Sequence, residues 1–148
     1  VRSCRNHESR KGDTRAMITR IGKTRIEARH RLSCHCGKVQ IEVSLPHGID
    51  EVGRCNCSIC RRKGAILAAV PLADLTIVSG EENLTMYRFN TGTARHYFCS
   101  HCGIYTHHRS RVSPDKFDFN VGCLEGVNPL DLGEVQVFDG INHPCDNP

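Results

Sequence analysis

Three stretches of this sequence gather side chains able to hold a metal: Cys34-His35-Cys36-Gly37, Cys55-Asn56-Cys57-Ser58-Ile59-Cys60-Arg61-Arg62 and Cys99-Ser100-His101-Cys102-Gly103. Thiolates spaced this closely lie on a single turn and can grip one ion, a spacing that fits chelation better than disulfides. The outer two stretches look alike. Each is a pair of thiolates on a tight turn followed by glycine, which accepts the positive φ such a turn asks for. Together they offer four sulfurs, the form expected of a closed structural zinc, which contributes on the order of 10 kcal/mol to folding. The middle stretch offers only three, Cys55, Cys57 and Cys60. Three protein ligands leave a tetrahedral ion one exchangeable position. Zinc on three thiolates is formally anionic, a mild Lewis acid, and favours a soft fourth ligand. The chemistry to expect is thiol binding and activation rather than water activation.

The triplet has a second reading. It can recruit a fourth protein ligand from His96, His101, His107, His108, Cys123 or Cys145 and become another structural site. No four-cysteine run has ferredoxin spacing, which argues against an iron–sulfur cluster. If the site is open, charge developing on a substrate needs a proton or a cation nearby, and His96, His107, His108 and Arg109 are the candidates. Arg61, Arg62 and Lys63 follow the triplet directly and are the candidates for contacting a substrate, with Arg54 and Arg95 behind them. The same residues also read as a solvated face beside an anionic metal site. His35 and His101, inside the outer turns, are expected to be exposed or to lie behind the ligands. Cys123 reads as a small buried residue, and Phe89, Phe98, Phe117, Phe119 and Phe138 read as core.

The elements that must position these residues are short strands. Lys38–Val43 alternates polar and apolar, as a half-buried strand does. Ala65–Val70 is apolar throughout and reads as a buried strand. Leu75–Val78, Leu84–Phe89, Arg95–Cys99, Ile104–Arg109, Phe117–Val121 and Val135–Phe138 read as further strands, with Arg95–Cys99 and Ile104–Arg109 forming a hairpin around the last cysteine pair. Cys57–Lys63 lacks strand alternation and fits a short helical turn. Many short strands between close turns predict a mainly β fold in a single domain. Gly140–Pro148 reads as a tail.

Charge divides the chain. Residues 1–31 carry ten Lys and Arg against three Asp and Glu, whereas the rest carries ten against thirteen. The expectation is a basic, disordered leader over 1–31 and a zinc-binding domain over 32–148, with nucleic-acid binding unlikely for the mildly acidic body. Cys4, in that leader, reads as a free thiol. No window approaches the roughly 20 apolar residues needed to span a bilayer. The absence of an apolar signal core at the N-terminus, together with metal rather than disulfide spacing, points to a reducing, cytoplasmic setting.

The ordered pattern Cys-His-Cys-Gly, then Cys-x-Cys-Ser-x-Cys-Arg-Arg-x-Gly, then Phe-Cys-Ser-x-Cys-Gly resembles the glutathione-dependent formaldehyde-activating family, which also includes centromere protein V. The likeness runs from about Leu32 to Phe138 and takes in Gly37, Ser58, Arg61, Arg62, Gly64, Phe98 and Gly103. It implies an Mss4-like β-tent of short antiparallel strands stapled by zinc. It implies two zinc ions per chain: a structural one on Cys34, Cys36, Cys99 and Cys102, and a working one on Cys55, Cys57 and Cys60. The type activity is S-(hydroxymethyl)glutathione synthase, a carbon–sulfur lyase by class, whose partners are glutathione and formaldehyde. Two other functions fit the pattern: a carrier that binds glutathione or another thiol without catalysis, and a structural zinc module for protein or nucleic-acid contacts.

Overall fold

The computed structural model describes residues 16–143. Twelve short strands and one α-helical turn follow one another, with short 3-10 turns between some of them: β1 Arg20–Ile21, β2 Thr24–Arg25, β3 Arg29–Ser33, β4 Gln40–Ser44, β5 Val52–Cys55, α1 Cys60–Lys63, β6 Leu67–Pro71, β7 Leu75–Ser79, β8 Leu84–Tyr87, β9 Arg95–Cys99, β10 Tyr105–Arg109, β11 Lys116–Asn120 and β12 Gln136–Phe138. They form a seven-stranded sheet in the order β12-β5-β6-β11-β10-β9-β8, a three-stranded sheet β3-β4-β7 and the small β1-β2 hairpin. Neighbours run antiparallel except β12, which lies parallel to β5. The mainly β, single-domain fold expected from the strand pattern is the one observed.

Alternation builds the core. In β4, Ile41 and Val43 turn inward while Gln40, Glu42 and Ser44 do not. They meet Leu32, Ile49, Phe119 and Val121, all essentially without solvent contact. Burying side chains of this size contributes about 1.5–3 kcal/mol each relative to exposure.

The reading of 1–31 as a disordered leader does not hold over 16–31. Residues 16–31, read as part of it, supply β1, β2 and the start of β3, and Ile21 and Ile26 join the core. His30 is buried too. Its ring nitrogens meet the Glu27 amide at 3.1 Å and the Glu125 carbonyl at 2.9 Å. The basic residues here alternate with inward-facing ones, so the net charge conceals a strand pattern. Residues 1–15, with Cys4, lie outside the described residues, as does Cys145.

Two other expectations change. The apolar run before Pro71 is buried on one face only: Ala68 and Val70 enter the core while Ala69 is exposed. The segment read as a tail also has a structural task. The Gly140 amide donates to Asn56 Oδ1 at 2.7 Å, as does the Ile141 amide at 3.2 Å, and Asn56 Nδ2 donates to Asp139 Oδ1 at 3.3 Å. The end of β12 is thereby pinned to the cysteine-rich turn.

Candidate functional site

The four outer cysteines come together from two turns. Cys34 and Cys36 sit between β3 and β4; Cys99 ends β9 and Cys102 precedes β10. All four sulfurs lie within 4.8 Å of one another. Cys34 and Cys36 Sγ are 3.6 Å apart, and Cys36 and Cys99 Sγ 3.7 Å. An ion with sulfur bonds of about 2.3 Å in a tetrahedron needs edges of about 3.8 Å, so the set fits a metal. Both following glycines hold positive φ, 78° at Gly37 and 76° at Gly103, and the Val39 amide donates to Cys34 Sγ at 3.3 Å. These sulfurs form no part of the large cleft. His35 and His101 are exposed.

Cys55, Cys57 and Cys60 also converge, with every sulfur within 4.8 Å of the others. The end of β5 supplies Cys55, the turn Cys57, and the first residue of α1 Cys60. Hydrogen bonds with Cys55 and Cys60 hold the Cys57 thiol far below its usual range, and those with Cys55 and Cys57 push Cys60 far above. Sulfurs this close cannot all shed their protons unless a cation shares the site, so this set too could hold a metal ion. Among the described residues no histidine, acid or further cysteine joins the triplet as a fourth donor. Cys123 is buried, its thiol donating to the Tyr105 carbonyl at 3.5 Å.

The triplet lies on a cleft of about 670 Å³. Strands β6, β11, β10 and β9 of the seven-stranded sheet form one wall, and its edge strand β12 with the following turn forms another. Ala69 keeps the sheet wall low because it carries only a methyl. Gly140 brings backbone against the sulfurs: a Cβ there would stand 2.5 Å from Cys55 Sγ and 2.7 Å from Cys57 Cβ. Across the sheet wall runs a row of directly opposed residues, Tyr87, His96, His108, Asp118 and Ala69, contributed by β8, β9, β10, β11 and β6.

A bulge in β10 shapes this row. The register shifts between Tyr105 and His107. Residues three apart on a regular strand face opposite ways, but the extra residue lets Tyr105 and His108 meet, hydroxyl to Nδ1, at 2.5 Å. His108 Nε2 reaches Asp118 Oδ2 at 3.0 Å. His96 stacks on His108 with ring centres 4.8 Å apart, and Phe89 covers the other side of His96 at 5.8 Å. Phe89, expected in the core, is therefore part of the cleft lining, and Phe138 lines it from the opposite wall.

The cationic residues after the triplet separate. Arg61 is exposed on the cleft. Arg62 turns back along α1, donating to the Ser58 carbonyl at 2.7 Å, and borders a smaller, shallower pocket. Lys63 turns inward. Its ammonium sits 3.6 Å above the Tyr105 ring and 2.7 Å from His96 Nδ1, and burial pulls its pKa down to about 8. Arg54 donates to the Gly64 carbonyl at 2.7 Å and Arg109 to the Pro114 carbonyl at 2.7 Å, both structural tasks. Arg95 stands opposite Arg109 at the start of β9, exposed and off the cleft. His107 is off the cleft: it stacks on Tyr97 at 4.6 Å, hydrogen-bonds Thr106, and burial pulls its pKa down to about 4. Of the histidines considered from the sequence, His96 and His108 reach the cleft. Tyr105 and Asp118 were not singled out from the sequence, because only strand register and the bulge place them; Asn56 sits within the triplet itself, but its bonds to the distant 139–141 turn are non-local.

Fold and site define a small β protein with one four-sulfur cluster away from the cleft and one three-sulfur cluster on it, each of which could hold a metal ion. Residues 29–137 match the family described as glutathione-dependent formaldehyde-activating enzyme. The chain belongs to that family. A Halomonas elongata relative whose name places it there is 38% identical over 78 residues, covering 47% of this chain and 49% of that one. One from Emericella nidulans is 29% identical over 86 residues, covering 55% and 43%. The chain thus spans about half the length or less of these curated relatives. A Rhodobacter sphaeroides protein of known crystal structure is 56% identical, with a TM-score of 0.70 over 73% of this chain and 99% of that one.

Proposed function

We propose that this protein holds zinc at both cysteine centres, binds a small thiol such as glutathione at the three-sulfur centre, and forms or breaks a thiol–aldehyde adduct of the S-hydroxymethylglutathione type. That would make it a carbon–sulfur lyase by class. The carrying observation is the contrast in donor number and access: four sulfurs away from the cleft, three on it. A zinc ion on Cys55, Cys57 and Cys60 would supply a vacant position that takes a thiol and lowers its pKa.

The protein's own groups do the rest. Arg61 on the cleft can pair with a carboxylate of the incoming thiol compound, and Lys116 lines the same cleft. The Asn56 hydrogen bonds to Gly140 and Ile141 fix the wall that faces the triplet. Asp118 holds His108 in one tautomer, accepting from Nε2 so that Nδ1 can accept the Tyr105 hydroxyl. Thiols kept reduced for this chemistry suit a cytoplasmic setting, and no described helix is long and apolar enough to cross a membrane.

The test is metal content and thiol turnover measured together. Protein prepared with added zinc should carry two ions per chain and accelerate the addition of glutathione to formaldehyde above the spontaneous rate. Cys57→Ser should drop to one ion, stay folded and lose the acceleration. Unchanged turnover in that variant would refute the reading. Thiol binding without acceleration in the unmutated protein would leave a carrier in its place.

A further inference from the structure

His96 occupies an unusual position for a buried histidine. Its ring is clamped between His108 and Phe89, so its plane is fixed. Its Nδ1 lies 2.7 Å from the Lys63 ammonium. An ammonium only donates, so Nδ1 must be the acceptor, and the proton of the neutral imidazole must sit on Nε2. Burial and the adjacent Lys63 charge push the His96 pKa down to about 3, which keeps the ring neutral. Among the described residues no protein group receives the Nε2 proton, while His96 itself lines the cleft. The charges of the three cysteines reach this pair: Cys57 acts on His96, and all three act on Lys63.

We propose that His96 is a catalytic hydrogen-bond donor whose Nε2–H, fixed in that tautomer by Lys63, meets the carbonyl oxygen of an aldehyde in the cleft and protonates it as sulfur adds. The assignment rests on the thiol–aldehyde reading above and names the group that reading lacks. As the carbon–sulfur bond forms, the carbonyl π pair moves to oxygen. Oxygen takes the Nε2 proton, and Nδ1 takes one from the Lys63 ammonium. The proton lost by the substrate thiol then adds at Nε2 from the cleft, and Nδ1 returns its proton to Lys63. Thiol and aldehyde give the hydroxyalkyl thioether with nothing else consumed. Reversal releases the aldehyde by the same path. A neutral donor suits the step because an imidazolium within reach of the Cys57 thiolate would pair with it instead of with the carbonyl. Lys63 is a positioning residue in this scheme, with the Tyr105 ring beneath its ammonium and Tyr105 itself held by His108.

The experiment follows glutathione addition to formaldehyde by exchange NMR, with the spontaneous rate subtracted, in zinc-loaded protein and variants matched for metal content. His96→Phe keeps a flat ring in the stack but removes the donor; kcat should fall about 100-fold with the KM for thiol changed less than about threefold. His96→Gln, which restores a side-chain N–H, should recover part of that loss. Nitrogen-15 spectra of the imidazoles supply a readout independent of turnover. His96 should show the neutral Nε2–H tautomer from pH 8 to pH 5, and Lys63→Met should turn it into a mixture of tautomers. An Nδ1–H ring or an imidazolium at pH 7 overturns the assignment even if His96→Phe fails to fold. Undiminished kcat in a folded, fully loaded His96→Phe overturns it too, while leaving the thiol–aldehyde reading intact. An unmutated protein that adds nothing to the spontaneous rate refutes that reading, and the His96 role with it.

Discussion

Cys34, Cys36, Cys99 and Cys102 come from turns at the ends of different sheets, whereas Cys55, Cys57 and Cys60 come from one stretch of six residues. The first set joins the three-stranded sheet to the seven-stranded one across a large gap in sequence. The second closes only a local loop and bridges nothing by itself. A metal that ties distant strands removes much of the unfolded chain's freedom, while one that ties neighbours removes little. The same ligand type can thus serve folding in one place and chemistry in another. On the function proposed above, what would separate the roles is the span of chain each set closes and whether a fourth sulfur completes it.

The comparison breaks most visibly at the closed centre. Cys99→Ser should abolish cooperative thermal unfolding or lower the midpoint by well over 10 °C, since loss of structural zinc removes several kcal/mol. Circular dichroism melts would show it, and a wild-type melt would erase the distinction drawn here. Next comes the open centre: a chelator at moderate concentration should strip one ion rapidly and the second only with unfolding, so zinc release should be biphasic. A single phase accompanied by unfolding would mean that both centres are structural. Gly140→Ala should act on the open centre alone, because the added methyl would press on Cys55 and Cys57. An affinity loss at that ion of about tenfold or more, with the melt nearly unchanged, is the expected size for a disturbed ligand environment. The smallest effect belongs to Arg61→Ala, which should raise the KM for glutathione a few-fold, more at low salt than at high, and leave kcat and zinc content alone.

The centres themselves were legible in the sequence because their ligand spacing is local and the outer pairs repeat one pattern. Most of the strands were legible too, where apolar residues alternate as in β4. β5 was hidden because Gly53 and Arg54 break its alternation; the glycine is there because the Phe138 ring packs where its side chain would be. β1 to β3 were hidden by their arginines, which leave single inward residues such as Ile21 and Leu32 as the only signal. The His96–Lys63 contact and the Tyr105–His108–Asp118 chain depend on strand register, on an α1 side chain turning inward and on one bulge. None of these leaves a mark at fixed spacing in the chain. β12 was read as a strand, but its parallel pairing with β5 is non-local, so its role as a cleft wall was invisible.

That parallel pairing also sets a timetable for a growing polypeptide. Leaving the ribosome from its N-terminal side, the chain exposes Cys55, Cys57 and Cys60 before Cys99 and Cys102, yet the residues that enclose the triplet, Phe138 to Ile141, emerge after all of them. These three thiols are thus the first complete set to appear, and the turn that encloses them is made last. For that interval a nascent chain has these three thiols in the open, where oxidants can reach them, and prompt delivery of metal is what would protect them.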